Sequence, residues 1–119
     1  MSKDEFGDFV RRRRTTHREH DRSYSLRQVA ERIGVEPSFL SKVERGTQPP
    51  PSEARIIALA QELGEDPDVL LALAGKVSSD LREVILKRPK LFAELIRAVR
   101  DAPDDAILRV VREVRDGDW

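Results

Sequence analysis

The chain of 119 residues contains no cysteine, and aromatic residues make up only 5% of it. The lack of cysteine excludes disulfides and thiolate metal sites, and it is compatible with a reducing compartment. The N-terminus lacks the features of a signal peptide. No apolar run approaches the ~20 residues that a membrane span requires. We therefore expect a cytoplasmic protein that does not associate with a membrane.

An excess of charge of one sign is also missing. The chain carries 22 basic and 22 acidic residues, so its formal net charge is zero. This argues weakly against nucleic acid, because the neutralisation of phosphates drives affinity for DNA. The charges are unevenly distributed, however: residues 1–50 carry 11 basic and 8 acidic side chains, whereas residues 51–75 carry 1 and 5. The positive excess therefore lies in the first 50 residues.

Long alternating runs of β-branched residues are missing as well, whereas apolar residues recur at helical spacing. With 39% hydrophobic and 37% charged residues, the composition is typical of helices with a well-solvated exterior. We predict an all-α fold in which five helices form a domain at residues 1–75. Residues 76–119 are predicted to form a helical region for dimerisation or partner binding.

The segment Leu26–Gly46 predicts two short helices joined by a tight turn. Ser25 and Gln28 have the spacing of a capping box, and Gly34 is suited to end the first helix in a left-handed conformation. The small side chain of Ala30 lets the two helices cross closely. This spacing indicates a helix-turn-helix, whose second helix can enter the major groove of DNA. An ordinary helical hairpin is the alternative.

The run YSLRQVAERIGVEPSFLSKVERG resembles the lambda-repressor-like helix-turn-helix family, also called the Cro/C1-type or xenobiotic-response-element (XRE) family. The resemblance covers the range from Phe6 to Ala74, and the ERG end and the PPPS entry into the next helix add to it. It implies that the second helix reads bases through Pro37, Ser38, Ser41 and Lys42. It also implies an ion pair between Arg14 and Glu44, which would tie helix one to the second helix of the motif.

Phosphate contacts are expected at two places around the motif. Backbone N–H groups point outward at the start of its first helix, and polar side chains follow its second helix. The predicted phosphate contacts are Arg27, Gln28, Arg45, Thr47 and Gln48. Ordinary surface charge is the alternative interpretation of Arg27 and Arg45. Among the base-reading residues, Lys42 has the chemistry to donate to guanine O6 and N7.

A run of four arginines at 11–14 ends the predicted helix one, Asp4–Arg14, and precedes a polar stretch, Thr15–Ser23. A basic run is usually a solvated face, although one or two of these arginines could contact phosphate. We expect the polar stretch to be a mobile loop or a frayed extension of helix one. His17 and His20 have a spacing that could bind a metal. Since no cysteine accompanies them, we expect solvated histidines and no metal or other cofactor.

Three further helices are predicted after Gly75, each with one apolar side. They begin at Ser78 or Ser79, at Pro89 and at Pro103. Short amphipathic helices need a partner surface, which a second copy, another protein or the first domain could supply. The predicted dimerisation residues are Leu91, Phe92, Leu95, Ile96, Val99, Ile107, Val110, Val111 and Val114. Trp119 either anchors that contact or is exposed.

These features favour a sequence-specific DNA-binding transcriptional regulator. The simplest form is a repressor that binds an inverted repeat in double-stranded DNA as a homodimer. One alternative is an antitoxin or controller protein whose C-terminal helices bind another protein, and a second is an interaction module that has lost DNA binding. An enzyme is not expected, because the sequence has no phosphate-binding glycine loop and no nucleophile paired with a base.

Overall fold

The computed structural model describes residues 3–117, and all regular structure within that range is helical. The α-helices are α1 (Lys3–Arg18), α2 (Leu26–Ile33), α3 (Pro37–Glu44), α4 (Glu53–Leu63), α5 (Pro67–Leu73), α6 (Ser79–Lys87), α7 (Pro89–Val99) and α8 (Asp104–Asp116). A short 3-10 helix, Arg22–Tyr24, lies between α1 and α2. The prediction of an all-α fold is confirmed. The two interpretations of Trp119 concern a residue outside the described range.

The chain divides into two compact units, one ending at Ser78 and the other beginning at Ser79. The first unit contains α1–α5, and the second contains α6–α8. The assignment of DNA binding to residues 1–75 and of dimerisation or partner binding to residues 76–119 stays a prediction.

Local chemistry sets both ends of α2. The Ser25 hydroxyl accepts a hydrogen bond from the Gln28 amide at 3.3 Å and donates to the Gln28 side-chain oxygen at 3.1 Å. Gly34 follows Ile33 with a φ of +78°, a conformation that favours glycine. Arg55 adds a cap from α4, because its Nη1 donates to the Ile33 carbonyl at 2.7 Å. That long-range cap has no counterpart in the sequence analysis.

The core of the first unit collects the apolar sides of α1–α5. Its buried residues are Phe6, Val10, Val29, Ala30, Ile33, Leu40, Val43, Ile56, Leu59, Ala60, Leu63, Leu70 and Leu71. Removing these side chains from water is the main force that holds the five helices together. Val69, which lies on α5 beside Leu70, is 50% exposed and does not belong to this core.

Helix α1 is longer than predicted, since it reaches Arg18 instead of Arg14. The expectation of a loop throughout Thr15–Ser23 is therefore wrong, and the alternative of a helix extension describes its first part. Beyond the helix, the Asp21 side chain caps the 3-10 helix by accepting a hydrogen bond from the Ser23 amide at 2.9 Å. The hydrogen bonds from Ser23 hold the pKa of the Asp21 carboxyl below its ordinary value.

Contacts of His17 explain the longer helix. Its Nε2 lies 2.8 Å from the Leu63 carbonyl oxygen at the end of α4, so Nε2 carries the hydrogen and donates it. Its ring stacks on Tyr24 with 4.7 Å between the ring centroids. The expectation that His17 is solvated is therefore wrong. These contacts stabilise the last turn of α1, which has no apolar residue of its own.

Helix α1 also passes very close to the end of α3. A Cβ atom on Gly7 would lie 2.2 Å from the Val43 carbonyl oxygen and 2.8 Å from the Glu44 carbonyl oxygen. Both distances are far shorter than a carbon–oxygen contact allows. Glycine is therefore required at position 7 by the closeness of two backbones, a role that the sequence analysis did not assign.

We expect Gly7→Ala to destabilise the first unit by about 1–3 kcal/mol, because α1 would have to move away from α3. This loss should outweigh the helix propensity that alanine adds, which is at most about 1 kcal/mol. Urea unfolding followed by far-UV circular dichroism measures the free energy of unfolding. Glu5→Ala, at an exposed position of the same helix, should change it by less than about 0.5 kcal/mol. A Gly7→Ala protein as stable as the wild type would contradict the close approach.

Candidate nucleic-acid interface

Helix α3 has a buried side and an accessible side. Its buried residues are Leu40, Val43 and Glu44. The side chains of Ser38 and Lys42 are exposed, and those of Pro37 and Ser41 are half-buried. Residues four apart lie on the same side of a helix, so Ser38 and Lys42 are neighbours. The predicted base-reading residues are therefore accessible together on α3, while their role in reading bases stays a prediction.

The charge on α3 is low for a helix that would meet phosphates. Lys42 is the only cation within Pro37–Glu44. Glu36 occupies the N-cap position, makes no capping hydrogen bond with its side chain and is exposed. Its carboxylate would repel a phosphate, whereas it could accept a hydrogen bond from the amino group of cytosine. No pattern in the sequence around Glu36 predicts such a contact.

The predicted phosphate contacts before α3 lie in the first turn of α2. Arg27 and Gln28 are both exposed. The side-chain oxygen of Gln28 is engaged by the Ser25 hydroxyl, which leaves the two N–H donors of its amide for another partner. The Arg27 side chain forms no hydrogen bond or ion pair with the side chains that the structure describes. Both residues therefore keep donors that could meet a phosphate.

The turn after α3 is fixed at both of its ends. At the first end, the amide and the hydroxyl of Thr47 both donate to the Lys42 carbonyl, at 3.0 and 3.2 Å. At the other end, the Lys76 Nζ donates to the Pro51 carbonyl at 3.0 Å. Since the Thr47 hydroxyl has a single hydrogen, this bond competes with the predicted donation to phosphate. Gln48, which lies between Thr47 and Pro51, is half-buried.

Arg45 keeps most of its donors free. Its Nε donates to the Ser41 carbonyl at 3.3 Å, and its side chain is exposed at the end of α3. The guanidinium has further N–H groups that this bond does not use. Arg45 is therefore placed where a phosphate beside α3 could receive two of them.

Two arginines of the run at 11–14 are engaged in surface ion pairs. Arg12 pairs with Asp8, with 3.1 Å between Nε and Oδ2. Arg13 pairs with Glu65, and its guanidinium lies 5.9 Å from the centre of the Phe9 ring. Both guanidiniums already have an acidic partner, which makes them weaker candidates for phosphate.

Arg11 differs from its neighbours, because its guanidinium has no ion-pair partner within the described part of the chain. It is exposed and lines an open groove of about 440 Å³ together with Arg45. Glu5, Asp8 and Glu44 line the same groove, so its surface carries both signs of charge. The sequence alone does not distinguish Arg11 from the other three arginines, whereas the structure leaves it available beside α3.

A buried ion pair joins α1 to the last residue of α3. The Arg14 Nε donates to Glu44 Oε2 at 2.7 Å, and its Nη2 donates to Oε1 at 2.9 Å. The remaining Nη1 donates to the Tyr24 carbonyl at 3.2 Å. Only 7% of the Arg14 side chain and 4% of the Glu44 side chain are exposed. The two parallel hydrogen bonds fix the end of α3 in position and in orientation.

The predicted dimerisation residues lie in the second unit, where none of the described residues of α6, α7 or α8 is buried. Those that are exposed are Leu91, Leu95, Ile96, Val110, Val111 and Val114. Phe92, Val99 and Ile107 are half-buried. Leu108, which the prediction left out, is 48% exposed. The apolar sides of α7 and α8 are thus accessible to a partner, and whether they dimerise stays a prediction.

Two other kinds of feature are absent from the described residues. No helix there has both the length and the hydrophobicity to cross a bilayer. No group of three or more histidine, aspartate or glutamate side chains in this range is arranged to hold a metal ion. His17, one of the two histidines in the metal-like spacing, is held by Leu63 and Tyr24 instead.

The chain matches the model of a known protein family. The model of a family described as a helix-turn-helix domain matches residues 5–73, which is more than half of the 119 residues. The matched range begins in α1 and ends with α5, so it includes α2 and α3. No curated protein and no solved structure matches the chain.

We expect Arg14→Met to destabilise the protein by about 3–5 kcal/mol, because the Glu44 carboxylate would stay buried without a partner. Replacing both residues with methionine should recover most of this loss, since no buried charge would remain. Urea unfolding of the single and double variants measures the difference. Arg12→Met breaks an exposed pair and should change the free energy of unfolding by less than about 1 kcal/mol. Equal effects of Arg12→Met and Arg14→Met would show that the Arg14–Glu44 pair has no special role.

Proposed function

The chain belongs to the helix-turn-helix domain family, and from this premise we propose that it is a sequence-specific DNA-binding transcriptional regulator. The observation that carries the proposal is the two-sided character of α3. Leu40, Val43 and Glu44 anchor one side in the first unit, while Ser38 and Lys42 are exposed on the other. A short helix held in this way can enter the major groove and bring its side chains to the base edges.

In the proposed complex, Lys42 donates to a guanine, and Ser38 and Ser41 bond to bases or to phosphates. Pro37 offers apolar contact to a thymine methyl group. Four residues with so few donors give a limited direct readout of sequence. The shape and deformability of the site would therefore supply part of the specificity.

The phosphates on either side of the site would be held by basic and amide side chains. Arg27 and Gln28 serve at the start of α2, and Arg45 and Gln48 serve after α3. Arg11 joins this set, because it shares the groove beside α3 with Arg45 and has no acidic partner within the described residues. Thr47 contributes mainly by ending α3, since its hydroxyl hydrogen is bound to the Lys42 carbonyl.

One copy with a single cation on α3 would bind DNA weakly, so the proposed active form is a homodimer. Two copies on half-sites one helical turn apart read an inverted repeat with a much higher combined affinity. The accessible apolar sides of α7 and α8 support this assembly. The proposed role is that of a cytoplasmic repressor of the lambda-repressor-like (XRE) type, which covers a promoter and needs neither a cofactor nor a catalytic site.

The exposed second unit also favours a second candidate function. Its large accessible side chains, such as Leu91 and Val114, would equally suit the binding of a different protein. An antitoxin or controller protein would combine such a partner with the same DNA-binding unit. A chain that binds a protein and has lost DNA binding is the third possibility, and the zero net charge favours it. Failure to bind any DNA at low salt would select this third function.

DNA binding is tested by selecting bound sequences from random duplexes and measuring the affinity for the selected site. Lys42→Ala should reduce the affinity by about 1–3 kcal/mol and relax the preference at one base pair. Arg45→Ala should weaken binding to all sequences and reduce the salt dependence by the equivalent of about one phosphate contact. Both effects can be read from titrations at several salt concentrations.

The matched control is Arg32→Gln, which removes a cation from the end of α2. Arg32 pairs with Glu62 on α4, so it is already neutralised within the first unit. Its replacement should leave both the affinity and the salt dependence near their wild-type values. If Lys42→Ala keeps the full affinity and sequence preference, α3 does not read the bases.

Homodimer formation is tested by light scattering at tens of micromolar protein and modest salt. The wild-type mass should be about twice the 13.6 kDa of one chain. Ile96→Asp should shift the protein toward the monomer, because it places a charge among exposed apolar residues of α7. Arg97→Gln, at the next position of the same helix, should have little effect. A wild-type protein with the mass of one chain would overturn the homodimer.

A further inference from the structure

An apolar groove with a basic rim lies between α6 and α7 within the second unit. It consists of two adjoining cavities of about 230 and 150 Å³, both lined by Arg88 and Phe92. Val84 and Lys87 line the larger cavity, and Leu91 and Leu95 line the smaller one. The groove therefore has an apolar floor and two cations, Lys87 and Arg88, where α6 ends.

Helix α8 has an exposed side that combines apolar residues with an acidic first turn. Leu108 and Val111 are 48% and 49% exposed, and Asp104 lies one turn before Leu108. Residues at this spacing share one side of a helix. The first turn carries two carboxylates, Asp104 and Asp105, and the last turn carries Arg115, which forms an exposed pair with Asp116.

The order of charges fixes the direction in which α8 would fit. The first half of α6 carries two acidic residues, Asp80 and Glu83, with Arg82 between them, and its last residue, Lys87, is followed by Arg88 at the start of α7. Helix α8 has the same order, with its acidic turn first and its arginines at 109, 112 and 115. Only an antiparallel alignment of the two helices places opposite charges together at both ends.

The charges at the basic end of the groove have no competing partners. Lys87 and Arg88 form no ion pair with any residue in the described range, and the same holds for Asp104 and Asp105 of α8. Leu108 and Val111 remain about half exposed, so α8 of the same chain does not bury them in the groove. The groove and α8 are thus both accessible, and each combines apolar residues with charges opposite to those of the other.

We infer that α8 of a second copy of this chain occupies the α6–α7 groove, antiparallel to α6, with its acidic first turn on Lys87 and Arg88. Since the two surfaces belong to one chain, a two-fold dimer forms the contact twice by exchanging α8 reciprocally. Phe92, Leu108 and Val111 would then be buried together. The inference rests on the proposed homodimer and specifies the surface through which it forms.

A charge-swap experiment tests the contact in the full-length protein. One variant carries Lys87→Glu and Arg88→Glu, and the other carries Asp104→Lys and Asp105→Lys. Alone, each brings like charges together at both contacts, and the dimer dissociation constant should rise roughly tenfold or more. Mixed in equal amounts, the two variants should form a heterodimer of near wild-type affinity, because every contact again joins opposite charges. Sedimentation velocity measures all three constants.

The matched control carries Arg97→Glu and Arg100→Glu, which reverse two cations near the end of α7 away from the groove lining. Its dissociation constant should stay near that of the wild type. A mixture that fails to restore the dimer, or a control as weak as the groove variant, would overturn the proposed contact.

The Asp104→Lys and Asp105→Lys variant has lysines in the first turn of α8, where they oppose the helix dipole and could unfold the helix. Cross-linking therefore gives a second measurement that does not depend on these charges. The chain has no cysteine, so a Lys87→Cys protein mixed with an Asp104→Cys protein should form a disulfide-linked heterodimer under mild oxidation. Mixing Arg97→Cys with Asp104→Cys should give far less of it. If the charge variants lose helical circular dichroism, the cross-link alone decides.

The outcomes separate this inference from the proposed function. A wild-type monomer overturns the homodimer itself, and the groove contact with it. If the wild type is a dimer, but the charge-reversal variants stay dimeric and the cysteine variants form no cross-link, the groove contact alone is overturned. A monomer in which Lys87→Cys and Asp104→Cys link within one chain shows that α8 fills its own groove, which also overturns the exchange.

Discussion

The buried ion pair between Arg14 and Glu44 is the contact on which the position of α3 depends. Helix α3 has only eight residues, which is too short to be stable without tertiary contacts. Leu40 and Val43 attach it to the core through apolar contacts, which allow rotation and sliding. The two hydrogen bonds from Arg14 add direction, because a guanidinium and a carboxylate bind in one plane.

Gly7 makes this arrangement possible at the same place. Its missing side chain allows the α1 backbone to approach the last carbonyl groups of α3. Arg14 lies two turns further along α1, so one helix supplies both the close approach and the ion pair. The accessible side of α3, with Ser38 and Lys42, is oriented by contacts that are made entirely on its other side.

The sequence predicted those parts of the fold that depend on neighbouring residues. Ser25 and Gly34 mark the ends of α2, because capping involves residues within one turn. Contacts between distant residues escaped the prediction. His17 with Leu63 extends α1, and Arg55 caps α2 from 22 positions away. No local pattern records such pairs.

The candidate interface shows the same difference between features that the sequence predicts and contacts that only the folded chain shows. The resemblance implied a pair between Arg14 and Glu44, and the structure contains it. The availability of Arg11 and the engagement of the Thr47 hydroxyl depend on which partners fold nearby, so only the structure shows them. In the second unit, the positions of α6–α8 follow from Pro89, Pro103 and the apolar spacing. None of the described residues of those helices is buried within the chain, so the pattern of one chain predicts the helices and not a partner for them.

The turn after α3 has a consequence for the thermodynamics of complex formation. Thr47 is bonded to the last turn of α3, and Pro51 is bonded to Lys76, so the turn has little conformational entropy left to lose. Ordering a flexible loop would oppose association, whereas a turn that is already rigid avoids most of that penalty. A partner that contacts this turn therefore meets a preorganised surface, and its association rate would not be limited by a rearrangement of the loop.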